Sequence, residues 1–345
     1  MMNTTNHKET HSRGKFIAAL LSFALLGSIT AMSGPAQPKA FADESAPSIV
    51  QPLDAADPGS EPAVESSPSF SAASTDLNSQ AVTAAAINHD ANFSPDTLQF
   101  LKSNTGLDGE QWDNIMMLVN KPEQDDLNWT KYYGYCEDIG DNRGYTIGIF
   151  GATTGGSNDT GPDGPALFKE YDRVKGASNP TVEGGLKRIG VNGKMSGSIL
   201  KITDSKSVFV KKINGLQNDA AWREAMWRTF YNVYIKYSVD QAKKRGFTSA
   251  LTIGSFVDTA LNQGADGDSG SLEGILSRSG SSKDEKTFMT KFYAERTKIV
   301  DTNDYNQPPN GKNRVKQWST LLSMGEIDLK DADAAVKKVT NWELK

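Results

Sequence analysis

Two short acidic runs stand close together in this chain, Glu123-Gln124-Asp125-Asp126 and Glu137-Asp138-Ile139-Gly140-Asp141, with the aromatic residues Trp129, Tyr132, Tyr133 and Tyr135 between them. Paired carboxylates beside flat rings are what a sugar hydrolase needs. One carboxyl, held protonated, helps the leaving oxygen depart; the other, ionised, activates water, and the rings stack on pyranose faces. Spacing alone is a weak signal, because acids in loops are usually solvated or cap helices. The rest of the chain narrows the choice. The three histidines, His7, His11 and His89, all precede residue 91, and Cys136 is the single thiol. Residues 91–345 therefore cannot assemble a Ser-His-Asp or Cys-His site, a His-containing zinc or iron site, a four-cysteine metal site or an intrachain disulfide. If the body is an enzyme, its acid and base are expected to be carboxylates, and no metal or organic cofactor is implied.

Other motifs fail on their own chemistry. Asp266-Gly267-Asp268 opens like a calcium loop, but its sixth position is Ser271 and its twelfth Ser277, where a glycine and a bidentate acid belong. Gly193-Lys194 is followed by Met195, and Arg188 takes the place of the first glycine of a phosphate-cradling loop. Ser198-Ile199-Leu200-Lys201 has the Ser-x-x-Lys spacing of serine amidases without either partner motif. Trp222, Trp227, Trp318 and Trp342 are expected as core or helix-packing residues rather than as sugar platforms, and Cys136 as a small buried apolar residue.

Several elements must position these residues. Ser94-Pro95 starts one helix, and Asp108 caps a second whose stripe is Trp112, Ile115, Met116, Leu118 and Val119. Lys121-Pro122 is expected to disturb that helix, leaving Glu123 at or just past its end. Residues 145–150 read as a short strand, 219–237 as an amphipathic helix capped by Asp219, and 247–263 as a helix apolar nearly all round except for Asp258. Many helices, one small patch of strands and no βαβ alternation or internal repeat predict a mainly helical α+β enzyme.

The ends differ from this body. Residues 1–42 read as a signal peptide: a basic start through Lys15, an apolar run from Phe16 to Met32, and Ala40-Phe41-Ala42 as a cleavage site. A secreted, extracellular protein is expected, with no membrane attachment after cleavage. Residues 43–90 carry eight acids, no Lys or Arg, and much Ala, Ser and Pro, and read as a disordered pro-segment or linker. Of the 345 residues and formal charge of −5, this leaves 91–345 formally neutral, which argues against nucleic acid as a partner.

At Tyr135-Cys136-Glu137-Asp138-Ile139-Gly140-Asp141-Asn142-Arg143-Gly144-Tyr145-Thr146 the chain resembles the family 46 glycoside hydrolases, the secreted bacterial chitosanases, and is most similar to the Bacillus-type members. The resemblance runs from Phe93-Ser94-Pro95 through Gly254-Ser255-Phe256-Val257-Asp258-Thr259-Ala260 to Gly311-Lys312-Asn313-Arg314-Val315. It implies a lysozyme-like, two-lobed, mainly helical fold with a small β-sheet and a central substrate cleft, occupying 91–345. It also implies inverting endo-hydrolysis of the β-1,4 linkages of chitosan, with Glu123 as general acid, Asp141 as general base and Thr146 positioning water. Glu137, Arg143 and Asp159 are implied as substrate-binding residues, and Asp258, Arg296 and Arg314 as a charge network supporting the acid. The expected partner is chitosan and the expected state a monomer. A peptidoglycan hydrolase of similar fold and a non-catalytic carbohydrate-binding protein are the alternatives.

Overall fold

The computed structural model describes residues 87–301 and 309–344; the expected signal peptide and nearly all of the expected linker lie outside the described residues. Local signals start the helices where the sequence places them. The Ser94 hydroxyl accepts from the Thr97 N–H at 3.2 Å and opens α1 (Pro95–Thr105). A capping box opens α2 (Gly109–Gln124): Asp108 accepts from the Gln111 N–H at 3.2 Å, and the Gln111 side chain from the Asp108 N–H at 3.0 Å.

The helix continues through Lys121-Pro122, which was expected to disturb it, and Glu123 stands at its end as expected. Proline cannot donate to the carbonyl four residues back, which is that of Leu118, and the lost bond would leave a buried acceptor unpaired. Here Gln317 of α11 (Asn310–Met324) supplies the missing donor, its Nε2 lying 2.5 Å from the Leu118 oxygen. The helix runs two residues further, so Glu123 sits within its last turn, before Asp125 caps it in a left-handed conformation.

Residues Thr146–Ile147 form β2, the middle strand of a three-stranded antiparallel sheet with β1 (Cys136–Glu137) and β3 (Ala152–Thr153). The strand is shorter than the expected 145–150 because the chain turns at Gly148, where φ is +75°. α3 (Gly164–Val174), α4 (Val182–Arg188), the hairpin of β4 (Gly193–Ser196) and β5 (Ile199–Ile202), and α5 (Lys206–Asn214) complete this lobe.

The expected helix over 219–237 is two α-helices joined by a π-helical turn: α6 (Ala220–Phe230), the turn Tyr231–Ile235, and α7 (Lys236–Arg245). This continuous run bridges the molecule, since α6 packs on α3 while α7 packs on α8 (Ala250–Gln263). The second lobe holds α8, α9 (Leu272–Arg278), α10 (Glu285–Thr297), α11 and the short α12 (Asp333–Val339). Every residue of α8 is buried, Asp258 included. Gly254 is what allows this, because a β-carbon there would stand 2.7 Å from Ile115 of α2 and 2.9 Å from the Trp318 ring of α11.

The core centres on Trp227, whose ring meets Phe93, Trp112, Trp129 and Phe230 at centroid distances of 5.4–5.9 Å. Trp222 and Trp318 are buried as expected, whereas Trp342 is half-exposed under Lys121. Cys136 is buried, and burial pushes its thiol up to about 12, as suits an inert packing residue. The first described element is a 3-10 turn at His89–Asn92, which begins inside the range read as linker and crosses its end. His89 Nδ1 lies 2.7 Å from Asp113 of α2 and its Nε2 3.3 Å from Asp333 of α12, so the folded unit does hold one imidazole, paired and buried. Among the described residues no helix is long and apolar enough to cross a membrane.

Candidate active site

A cleft between the lobes is lined by Glu123 and Gln124 of α2, Tyr135, Arg143, Thr146 and Tyr234, among others. Glu123 reaches it from the last turn of α2, and its position there is set by charge. Arg314 donates from Nη1 to Glu123 Oε1 at 2.5 Å. The same guanidinium donates from Nη2 and Nε to Asp258 Oδ1, at 2.7 and 2.9 Å. Arg296 of α10 donates to the other Asp258 oxygen at 2.8 Å, and the Trp318 indole adds a bond of 3.1 Å. The network therefore spans α2, α8, α10 and α11, with Asp258, Arg296 and Arg314 all buried.

Its electrostatics follow from that burial. Desolvation opposes ionisation of Asp258, but the Arg314 and Arg296 guanidiniums outweigh it and hold the carboxyl below the usual range. Burial works against the charge on Arg314 too; Asp258 and Glu123 reverse the effect and raise it. Arg296 has one partner fewer, and burial lowers it despite Asp258. Arg296 spends its Nε on Gln263 at 2.9 Å.

Asp141 lies in the loop that leads into β2. Its Oδ1 accepts from the Arg143 N–H at 3.0 Å, and its main-chain carbonyl accepts from the Asn158 side chain at 2.9 Å. Asp141 Oδ2 is buried with no hydrogen-bond partner in the protein. Thr146 is buried in β2 directly opposite Glu137 of β1, so the two residues share a face of the sheet. The Tyr135 hydroxyl donates to Glu137 at 3.0 Å.

Arg143 reaches the cleft, and its Nε stands 3.6 Å from Asp159 Oδ2. Asp159 itself is buried, accepting from the Thr153 hydroxyl and from the Gly161 N–H. Thus Glu123, Arg143 and Thr146 line one cleft, and Asp258, Arg296 and Arg314 converge on Glu123. Glu137, Asp141 and Asp159 lie outside that lining set, each tied to a residue within it or paired with one. Sequence reading missed Tyr234, Asp163, Gln263 and the polar duty of Trp318. An aromatic in a helical stripe looks like core by spacing, so nothing local distinguishes these residues. Ser198 spends its hydroxyl on the Thr160 carbonyl, while Lys201 stands across the hairpin from Lys194.

The model of glycosyl hydrolase family 46 matches residues 117–332. A chitosanase of Niallia circulans is 58% identical over 347 residues, covering 100% of both chains. A chitosanase of Streptomyces sp. (strain N174) is 34% identical over 177 residues, covering 51% of this chain and 59% of that one. Among solved structures, the GH80 chitosanase from Mitsuaria chitosanitabida is similar in fold, with a TM-score of 0.51 at 20% identity over 71% of this chain and 87% of that chain.

Proposed function

This chain belongs to glycosyl hydrolase family 46 and is a glycoside hydrolase, and we propose that it is a secreted, monomeric endo-chitosanase that inverts configuration at the β-1,4 linkages it cleaves. The observation that carries the reading is the contrast between two carboxylates. Glu123 is held from behind by the buried Arg314, while Asp141 keeps one oxygen without a protein partner. Glu123 is the general acid: Arg314 fixes its carboxyl toward the glycosidic oxygen, which takes the proton as the bond breaks. Asp141 is the general base, and Thr146 in the adjoining strand helps place the water it deprotonates. Attack from the face opposite the leaving group inverts the anomeric carbon, a geometry that wants carboxyls ~6.5–9.5 Å apart rather than the ~5–5.5 Å of retaining enzymes.

Glu137 and Arg143 contact substrate in this mechanism, and Asp159 acts with Arg143. Carboxylates along the groove suit a polymer bearing one ammonium per protonated sugar. Similarity to the 58%-identical chitosanase supports the choice of chitosan over peptidoglycan.

The test is NMR of the anomeric protons during early hydrolysis of a chitosan oligomer. Initial release of the α-anomer is expected. Glu123→Gln and Asp141→Asn, folded like wild type, should each lose about 10²–10⁴-fold in kcat. Initial β-anomer would reverse the assignment of Asp141, and turnover of cell walls instead of chitosan would move the activity to peptidoglycan.

A further inference from the structure

Asp163 stands where a helix-capping residue should, immediately before α3, yet its side chain caps nothing. Its Oδ2 instead accepts from the Tyr234 hydroxyl at 3.1 Å, across 71 residues of chain. Tyr234 belongs to the π-helical turn between α6 and α7, a local widening that is uncommon in helices and concentrates at functional sites. Tyr234 also lines the cleft that holds Glu123 and Arg143. Asp163 also feels the charges of Asp159 and Arg143, which pair with each other at 3.6 Å. Arg143 Nε is buried without a hydrogen bond, its ion pair with Asp159 being too long for one.

We propose that Asp163 is a specificity-determining positioning residue. When ionised, it turns the Asp159–Arg143–Asp163 cluster net negative and, through the Tyr234 wall, favours a protonated glucosamine unit in the cleft. This rests on the chitosanase reading and adds to it a residue that touches no substrate. Burial pushes Asp163 up to about 6, with repulsion from Asp159 adding to the effect and the Tyr234 hydrogen bond and Arg143 opposing it. Ionisation of Asp163 thus adds one negative charge to the cluster as pH rises through that value.

The experiment compares wild type, Asp163→Asn and Tyr234→Phe on a soluble glucosamine oligomer from pH 5 to 7.5. Asparagine keeps an oxygen that accepts from Tyr234, so only the charge is removed. Its KM should exceed the wild-type KM about 3- to 10-fold at pH 7, as befits one partly screened charge, and converge on it at pH 5, with kcat nearly unchanged. Substrate deprotonation weakens the same attraction, so the ratio is compared between pH 5 and 7 with the substrate's own titration measured alongside. Tyr234→Phe removes the donor that favours ionised Asp163, so the KM transition should move to higher pH. A KM ratio independent of pH, or a transition in Tyr234→Phe moved to lower pH, overturns the inference while leaving the chitosanase reading intact. Absence of turnover by folded wild type overturns both. If Asp163→Asn does not reach the wild-type circular dichroism spectrum, the Tyr234→Phe profile decides alone.

Discussion

Among single residues, one guanidinium joins the cleft to the core. Arg314 has enough donors to hold Glu123 and Asp258 together, and Arg296 can share Asp258 because that carboxylate has two oxygens. Removing the shared anion is the severe change. Asp258→Asn leaves two buried guanidiniums without their common counter-charge, and a loss of about 3–5 kcal/mol is expected in urea unfolding. The pH dependence has a definite sign. Asp258 ionises more readily folded than unfolded, so its contribution is fully present above the unfolded value of 3.8 and is lost as pH falls through the lower folded value. The wild type should therefore lose stability in acid more steeply than Asp258→Asn. The pair Glu123 and Asp141 was visible in the sequence as chemistry, since the absence of His beyond residue 90 left carboxylates as the acid and base on offer. Which acid would be clamped and which left with a free oxygen was not visible, because Arg314 is 191 residues from Glu123.

Among the elements, helix starts were legible and the passage of α2 through Pro122 was not. Ser94, Asp108 and Asp219 each cap within three residues of themselves, an interaction whose range matches what a sequence displays. Pro122 reads locally as a breaker, and the side chain that satisfies Leu118 comes from Gln317, 199 residues away. This pairing predicts a rescue. Gln317→Leu strands the Leu118 carbonyl and should cost about 1–3 kcal/mol in thermal or urea unfolding. Pro122→Ala restores a main-chain donor at that carbonyl, so the double variant should recover much of the loss. Equal destabilisation of the single and double variants would mean that Gln317 acts by packing alone. The same two residues hold the last turn of α2, so Gln317→Leu should also lower kcat through Glu123.

The molecule as a whole is two lobes bridged by α2 and by the α6–α7 run, with the cleft between them. The mainly helical α+β class was legible from periodicity, and the family from one long motif. The boundary of the folded unit was less so. His89 falls in a compositionally linker-like stretch, but it closes contacts with α2 and α12. A chain beginning at residue 87 is expected to match the full chain in melting temperature and kcat. One beginning at residue 91 removes a buried partner of Asp113 and should be less stable by about 1–3 kcal/mol. Equal melting of the two shortened chains would show that His89 contributes nothing. Composition and spacing act over one or two turns of chain, so the available chemistry, the helix starts and the apolar stripes could all be read from the order of residues. The meeting of charges and polar groups could not: Arg314 with Glu123 and Asp258, Asp163 with Tyr234, Gln317 with Leu118. Those pairings have no local spacing to announce them, since burial in a shared interior is what brings them together and gives them their strength.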